Sequence, residues 1–335
     1  MKNNKNTFDI VISGGGLAGS LLALSLADLT KKDGSLLSIA IIEASQTSAT
    51  TANNSPRFDD RVLALSHGSA DYLKKMGVWP YLADDACAIE KIDISDRGHY
   101  GKARIEALEH GVCALGYVIE MALIGNAQLK ALASKTNVQW LCPDRIVDIT
   151  WHTAEQNNKV SLTLSSEKTV QASLLLACDG VNSPCRQLAG IGVRHNDYQQ
   201  VALIANVATE KPHYNKAYER FTEFGPLAML PLTQVKSNLR STQQDETSNQ
   251  KNSDNRCSLV WTMTPAQSEH MLALNDDDFK HELERAFGHW LGAITVAGKR
   301  AVYPLVLSQA TQQVYHRMAL IGNASHTIHP IAGQG

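Results

Sequence analysis

Three glycine-centred segments carry the residue types and spacing with which a chain can hold a dinucleotide. They are Gly14-Gly15-Gly16-Leu17-Ala18-Gly19, then Asp179-Gly180-Val181-Asn182-Ser183-Pro184-Cys185-Arg186, then Gly322-Asn323 leading to Gly333-Gln334-Gly335. In the first, Gly14 permits a tight turn, Gly16 lets backbone approach a pyrophosphate, and Gly19 lets a helix pack on a strand where any Cβ would collide. The N-terminus of that helix turns its unused N–H groups and positive dipole end toward the phosphates. Glu43 closes a later apolar run. A carboxylate there accepts hydrogen bonds from both ribose hydroxyls of an adenosine and repels a 2′-phosphate. The chemistry expected of this set is binding of FAD or NAD rather than NADP.

A glycine motif gains meaning from the elements on either side of it. Phe8 to Ser13 reads as a short buried strand, and Leu17 to Leu29 as an apolar helix ending near Lys31 and Lys32, whose charges suit a helix C-terminus. Leu37 to Ile42 is a continuous apolar run, as a parallel strand covered on both faces requires. Together these predict a βαβ unit. From Ile146 to Cys178 the pattern becomes short alternating segments, IVDITW, KVSLTLS and TVQASLLLAC, which predict an antiparallel meander whose last strand delivers Asp179. Further strands are expected at VALIANVAT from Val201, FTEFGPLAMLPL from Phe221, SLVWTMT from Ser258 and AVYPLVL from Ala301. The stretch from Gln234 to Arg256 is almost devoid of large apolar residues and reads as a mobile excursion. Asn275-Asp276-Asp277-Asp278 opens a helix with Phe279, Leu283, Phe287, Trp290 and Leu291 on one face.

The expected fold class is therefore α/β: a Rossmann-like dinucleotide-binding domain, βαβ plus antiparallel meander, with a second, mixed-sheet substrate domain. The first would span residues 1–200 with part of the substrate sheet inserted at about 80–120, the second 201–308, and residues 309–335 would return to the first.

Composition bounds the rest. With 335 residues, 44% of them hydrophobic and 19% charged, the chain can bury a core for two domains. A formal charge of −2 gives no broad attraction for nucleic acid or an anionic membrane, so any lipid partner must be recognised by apolar contact. Cys87, Cys113, Cys142, Cys178, Cys185 and Cys257 are scattered without a C-x-x-C pair, which reads as a reduced cytoplasmic protein with buried thiols. No stretch of about 18 uncharged apolar residues is present, so membrane contact would be at most peripheral, at the inner membrane. His326 and His329 lack a nearby Cys or carboxylate and read as loop histidines, so no metal is expected.

The spacing D-G-x-x-S-x-x-R from Asp179 to Arg186, and the segment GNASHTIHPIAGQG, are similar to signatures of the aromatic-ring flavoprotein monooxygenases, the family that includes para-hydroxybenzoate hydroxylase. The resemblance implies bound FAD along one groove, contacted by Gly14, Gly16, Gly19, Glu43, Asp179, Asn323, Pro330, Gly333, Gln334 and Gly335, with Ser183 and Arg186 steadying the middle turn. Arg61 in DDRVLALSHGS and Gln128 in ALIGNAQLKAL resemble two further FAD-contacting positions. The family carries aspartate where this chain has Asn323. Asparagine keeps an acceptor oxygen but loses the charge, so flavin affinity would be weaker or differently tuned.

Within that family, IANVAT, ERFTEFGPLAMLPL, CSLVW and AGKRAVYPL resemble the hydroxylases of ubiquinone biosynthesis. What this implies is a transient visit by NADH or NADPH, capture of O₂ as a flavin hydroperoxide, and oxygen transfer to a prenylated phenol, with other proteins of that pathway as partners. Leu227, Met229, Leu230, Pro231 and Trp261 would wall a channel for the prenyl tail, or would be plain sheet core. No catalytic base for the phenol is identified. The family continues through further helices, so the resemblance also implies that a helix opening at Gly333-Gln334-Gly335 is cut short. Three other readings stay open: a nicotinamide dehydrogenase using the first motif for NAD, a hydroxylase for another ring position, and a flavin-poor interaction module.

Overall fold

The computed structural model describes residues 6–46, 61–152, 159–234 and 255–328. His329, Pro330, Gly333, Gln334 and Gly335 lie outside these residues, as does the polar stretch apart from Gln234, Asn255 and Arg256.

The chain opens with β1 (Thr7–Ser13), α1 (Leu17–Ala27) and β2 (Ile39–Ile42). Val11, Ile12 and all four residues of β2 are buried, which is why the apolar runs are unbroken: both faces are covered. α1 stops at Ala27, earlier than expected, and Lys31 sits 3.3 Å from Asp9 instead of at the helix end. Next come β3 (Val62–Ser66), α2 (His67–Lys75), β4 (Cys87–Ile89), β5 (Lys91–Asp96), β6 (Lys102–Glu106), β7 (Gly116–Glu120), α3 (Met121–Leu132) and β8 (Val138–Leu141). The meander follows as β9 (Ile146–Trp151), β10 (Val160–Leu164) and β11 (Thr169–Ala177), and then α4 (Pro184–Leu188).

The second half runs β12 (Val193–Thr209), β13 (Lys216–Thr222), β14 (Gly225–Pro231), β15 (Arg256–Met263), α5 (Pro265–Ala273) and α6 (Asp276–Phe287). It ends with β16 (Ile294–Ala297), β17 (Ala301–Ala310), β18 (Val314–Tyr315), β19 (Met318–Leu320) and β20 (His326–Thr327). FTEFGPLAMLPL is not one strand but the end of β13, a turn and β14. Gly225, at φ 141°, and a bond from the Thr222 hydroxyl to the Gly225 carbonyl make the reversal.

Three sheets result. The first has the order β18-β19-β11-β1-β2-β8, with β19, β11, β1, β2 and β8 parallel and the β9–β10 hairpin carried antiparallel on β11. Ile10 and Ile12 face α1, α2 and α3, while Val11 faces the cluster built with β9, β10 and α4, so period-two alternation feeds two cores at once. The second sheet has the order β20-β17-β12-β15-β14-β13-β5-β6 and is mixed, because β13 and β5 run parallel among antiparallel neighbours. A third, three-stranded sheet, β3-β7-β4, had no counterpart in the sequence reading. It joins the other two: Val118 packs with Ala217 and Leu232, and Arg256 pairs with Glu120 at 2.6 Å.

α6 is capped by the Asn275 side chain, which accepts from the Asp278 N–H at 2.9 Å, and its three N-terminal aspartates complement the dipole. Phe279, Leu283 and Phe287 fill the core under the second sheet. Trp290 lies past Gly288, off the helix and 36% exposed, with the Arg220 guanidinium 5.3 Å from its ring centre. Phe279→Ala is expected to cost about 3–5 kcal/mol, seen as a lower midpoint in denaturant unfolding. Flavin content of the folded variant should not change, since this core is separate from the first sheet; loss of flavin without loss of stability would contradict that.

Candidate functional site

The first two glycine segments and the described start of the third, Gly322-Asn323, follow β1, β11 and β19, neighbouring parallel strands, and meet at their C-terminal ends. That crevice is where open α/β sheets take their ligands. Gly14 has φ 93°, and a Cβ there would lie 2.5 Å from the Cys178 carbonyl oxygen, so the first turn is pressed against the strand that delivers Asp179. A Cβ on Gly19 would run into the Gly14 carbonyl oxygen. Gly15, which carried no weight in the sequence reading, is equally constrained, by the Trp140 ring. Gly16 differs: a Cβ there meets nothing within 4 Å. Its open side lies at the start of α1, which has no side-chain cap and no acidic residue in its first turn. An uncapped helix start beside open space fits a pyrophosphate.

Glu43 stands at the end of β2, and its carboxylate reaches the first turn: Oε2 accepts from the Gly15 N–H at 2.7 Å and Oε1 from the Ser45 N–H at 3.0 Å. Asp179 accepts from the Cys185 N–H at 3.0 Å through Oδ2, while Oδ1 is buried with no partner among the described residues. Ser183 caps α4 by accepting from the Arg186 N–H at 3.0 Å. The Arg186 side chain, 7% exposed, donates to the Val181 carbonyl at 2.7 Å and to the Ala324 carbonyl at 2.8 Å, clamping the second turn to the third. The third turn reaches back in the same way, since a Cβ on Gly322 would lie 3.2 Å from the Ala18 side chain. Asn323, within it, is exposed.

Gln128 is 1% exposed on α3, and its Oε1 has no partner among the described residues. It lines a cavity of about 570 Å³ with Leu17, Ala18 and Leu21 of α1 and Leu63 and Leu65 of β3. Two buried acceptors lacking donors, a glycine facing open space and a bare helix start together fit FAD, whose hydroxyls and phosphates would satisfy them. Gln128→Leu is expected to leave the apoprotein as stable or slightly more stable, because it removes a buried unsatisfied oxygen, and to weaken FAD binding about tenfold. Thermal unfolding of apoprotein and FAD titration check the two signs; a destabilised apoprotein with unchanged affinity would contradict the placement.

Arg61 lies at the seam of the third and second sheets, its guanidinium 5.1 Å from the Tyr303 ring centre on β17. It marks where the second sheet faces the cofactor half. Of the five residues read as a channel wall, Leu227, Met229 and Trp261 point the other way, into the core under α5 and α6, because alternation along β14 and β15 puts them there. Packing accounts for those three without a ligand. Leu230 lies on the opposite face, against the cluster of Ile89, Val118 and Leu232, and Pro231 ends β14 opposite Cys257.

The thiols are not uniformly buried as expected: Cys87, Cys185 and Cys257 are, Cys142 and Cys178 are half-buried and Cys113 is exposed. Burial, with Asp179 adding repulsion, pushes Cys178 up to about 12 and Cys185 well above the usual thiol range. Both therefore stay protonated beside the second turn.

Residues 7–335 match the family model described as FAD binding domain. Ubiquinone hydroxylase UbiL of Rhodospirillum rubrum is 33% identical over 332 residues, covering 98% of this chain and 68% of that protein. The 3-demethoxyubiquinol 3-hydroxylase of Escherichia coli is 31% identical over 327 residues, covering 98% of this chain and 75% of that one. Among solved structures, p-nitrophenol 4-monooxygenase PnpA from Pseudomonas putida superposes with a TM-score of 0.69 at 16% identity, over 98% of this chain and 76% of its own. Aklavinone-11 hydroxylase, solved with FAD and aklavinone, gives 0.65 at 16% identity, over 99% of this chain and 59% of its own. At such identities these two speak for the fold.

Proposed function

Since this chain belongs to the FAD binding domain family and is an FAD-dependent aromatic hydroxylase, we propose that it acts on a polyprenylated phenol in ubiquinone biosynthesis. The reaction is conversion of 2-octaprenyl-6-methoxyphenol to 2-octaprenyl-6-methoxyhydroquinone with O₂ and NADH or NADPH. The observation that carries it is the meeting of the three turns at one strand-end crevice, with Asp179 of the middle turn holding a buried acceptor that lacks a donor among the described residues and Gln128 another on the cavity beside α1.

FAD, when bound and reduced by the nicotinamide, supplies the activated oxygen atom. The chain does the rest. The first and middle turns hold the dinucleotide, Glu43 and the α1 N-terminus give it direction, and the second sheet presents the face on which a ring is oriented and from which water is excluded. Residues 1–200, less a segment near 80–120, form the cofactor half in this reading, and 201–308 the substrate half. No helix among the described residues is long and apolar enough to cross a membrane. A prenyl tail would be taken from a bilayer by apolar contact at its surface.

A second reading, hydroxylation at another ring position, is favoured by the likeness to the 3-demethoxyubiquinol 3-hydroxylase. Mass spectrometry of quinone intermediates after deletion of the gene separates the two. Accumulated 2-octaprenyl-6-methoxyphenol is expected; accumulated 3-demethoxyubiquinol would transfer the assignment to the second reading. A purified protein without releasable flavin absorbance near about 450 nm would remove both.

A further inference from the structure

The second sheet turns one face to α6 and the other to the third sheet and the cofactor half, and the residues of β13 divide between them. Tyr218 packs edge-on to Phe287 at 5.6 Å, and Arg220 lies under Trp290 while donating to the Phe287 carbonyl at 2.9 Å. Ala217 points the opposite way, into the cluster it shares with Val118 and Val62. By alternation Glu219 is on the Ala217 side. Its neighbours across the sheet are Ala228, Val260, Ile204 and Ala301 in one direction and Ile94 and Ala103 in the other. It is the one polar residue in that row. Two residues along β17 from Ala301 is Tyr303, under the Arg61 guanidinium.

Glu219 is half-buried and has no hydrogen bond or ion pair among the described residues. Other charged groups on this face are occupied elsewhere: Arg256, on β15 with Val260, pairs with Glu120 at 2.6 Å, Asp96, opposite Phe221, is held by His99 at 2.9 Å, and Arg61 is on Tyr303. Asp93 and Lys216 pair with each other at 3.1 Å on the α6 side. A lone carboxylate in a wall of alanine, valine and isoleucine works against burial and contributes nothing to packing.

We propose that Glu219 is the catalytic base that accepts the proton of the substrate's ring hydroxyl. The proposal rests on the reading of the substrate as a phenol. The phenolic O–H bond breaks, its proton moves to a Glu219 carboxylate oxygen, and the electron pair left on the phenol oxygen enriches the ring carbons ortho and para to it. One of these forms the new C–O bond. The ring loses two electrons; O₂, reduced with the two electrons of NAD(P)H, gives one oxygen atom to the ring and the other to water. Loss of the displaced ring proton restores aromaticity, and Glu219 returns its proton to solvent. Burial alone raises the Glu219 carboxyl above the usual range, which narrows the gap to a phenol at about 10 and makes the transfer less uphill.

The test uses FAD-loaded protein with 2-octaprenyl-6-methoxyphenol, comparing wild type, Glu219→Gln and Glu219→Asp. Glu219→Gln should keep its flavin and bind the phenol within about threefold of wild type, while product formation at neutral pH falls about 100-fold. Its rate should climb toward that of wild type as pH approaches about 10, where the phenol ionises unaided. Glu219→Asp should restore part of the rate without the high-pH requirement. Because the carboxyl is raised in the folded protein, its charge costs stability above that raised value and the cost disappears as pH falls, so Glu219→Gln should unfold no earlier than wild type at pH 8. A merely structural role predicts the reverse, earlier unfolding with an unchanged pH profile, and that result overturns the proposal, as does full turnover by Glu219→Gln. If wild type hydroxylates no phenol, the substrate reading fails and the proposal with it; wild-type turnover matched by Glu219→Gln removes the proposal alone.

Discussion

Gly19→Ala is expected to yield protein without stoichiometric FAD and with a lowered melting temperature. The added Cβ would run into the Gly14 carbonyl oxygen, a backbone atom that no rotamer change can move. α1 must therefore shift away from the first turn, and Gly14 is itself wedged against the Cys178 carbonyl at φ 93° with no slack to follow. Forcing a group into a packed contact costs about 1–3 kcal/mol in stability. Displacing the α1 N-terminus from the crevice should lower FAD affinity about 100-fold or more, because the geometry of several phosphate contacts changes together. Gly16→Ala is the paired control. Gly16 is extended, at φ −69°, and its Cβ enters open space, so the apoprotein should melt with wild type while FAD binding still falls. Flavin absorbance after gel filtration and thermal unfolding of both apoproteins check this. A Gly16→Ala protein that fills with FAD as readily as wild type would show that the pyrophosphate does not lie over the turn.

That contrast also shows how far residue identities alone could reach. The βαβ unit was legible because burial on both faces demands unbroken apolar runs at Val11–Ile12 and Ile39–Ile42, and the glycine turn sits between strand and helix. The meander was legible from alternation at β9, β10 and β11. The third sheet was not, since β3 pairs with β7 across a long stretch of chain and neither strand has a fully buried face to stamp a period on its sequence. The turn at Gly225 was hidden by apolar residues on both sides of it. Which face of β13 looks at the cofactor half depends on where α6 lies, and no local pattern at Tyr218-Glu219-Arg220 carries that. Among candidate site residues, Gly14, Glu43 and Asp179 are brought to one crevice; Arg61 stands apart at Tyr303, and Leu227, Met229 and Trp261 are held in a core that apolar composition cannot distinguish from a channel wall.

Arg186→Met should be among the most damaging single changes in the cofactor half, although Arg186 reaches no predicted ligand. The guanidinium sits between two carbonyl oxygens, of Val181 and Ala324, that belong to turns far apart in the chain. Methionine fills much of the volume but donates nothing, so both charge-assisted bonds are lost. At about 1.5–3 kcal/mol for each such bond, a loss of about 3–6 kcal/mol is expected. The consequence for function follows from what the clamp holds. The third turn touches α1 through Gly322 and Ala18. Once freed from Arg186 it is tied to the second sheet by the two-residue β20–β17 pairing and the Ser325 carbonyl on the Ala310 N–H, and to the first by β19–β11, with no side-chain bond among the described residues holding it to the second turn itself. Flavin should then dissociate faster even at temperatures where the variant is fully folded, which fluorescence of released FAD will show. Arg186→Lys separates charge from geometry. A single ammonium on a flexible stem cannot hold both carbonyls in the fork a planar guanidinium spans, so lysine should recover at most about half of the lost stability. If lysine restored both melting temperature and flavin retention in full, positive charge beside the second turn would be the requirement, and the two-turn clamp would not be what keeps the crevice closed around its ligand.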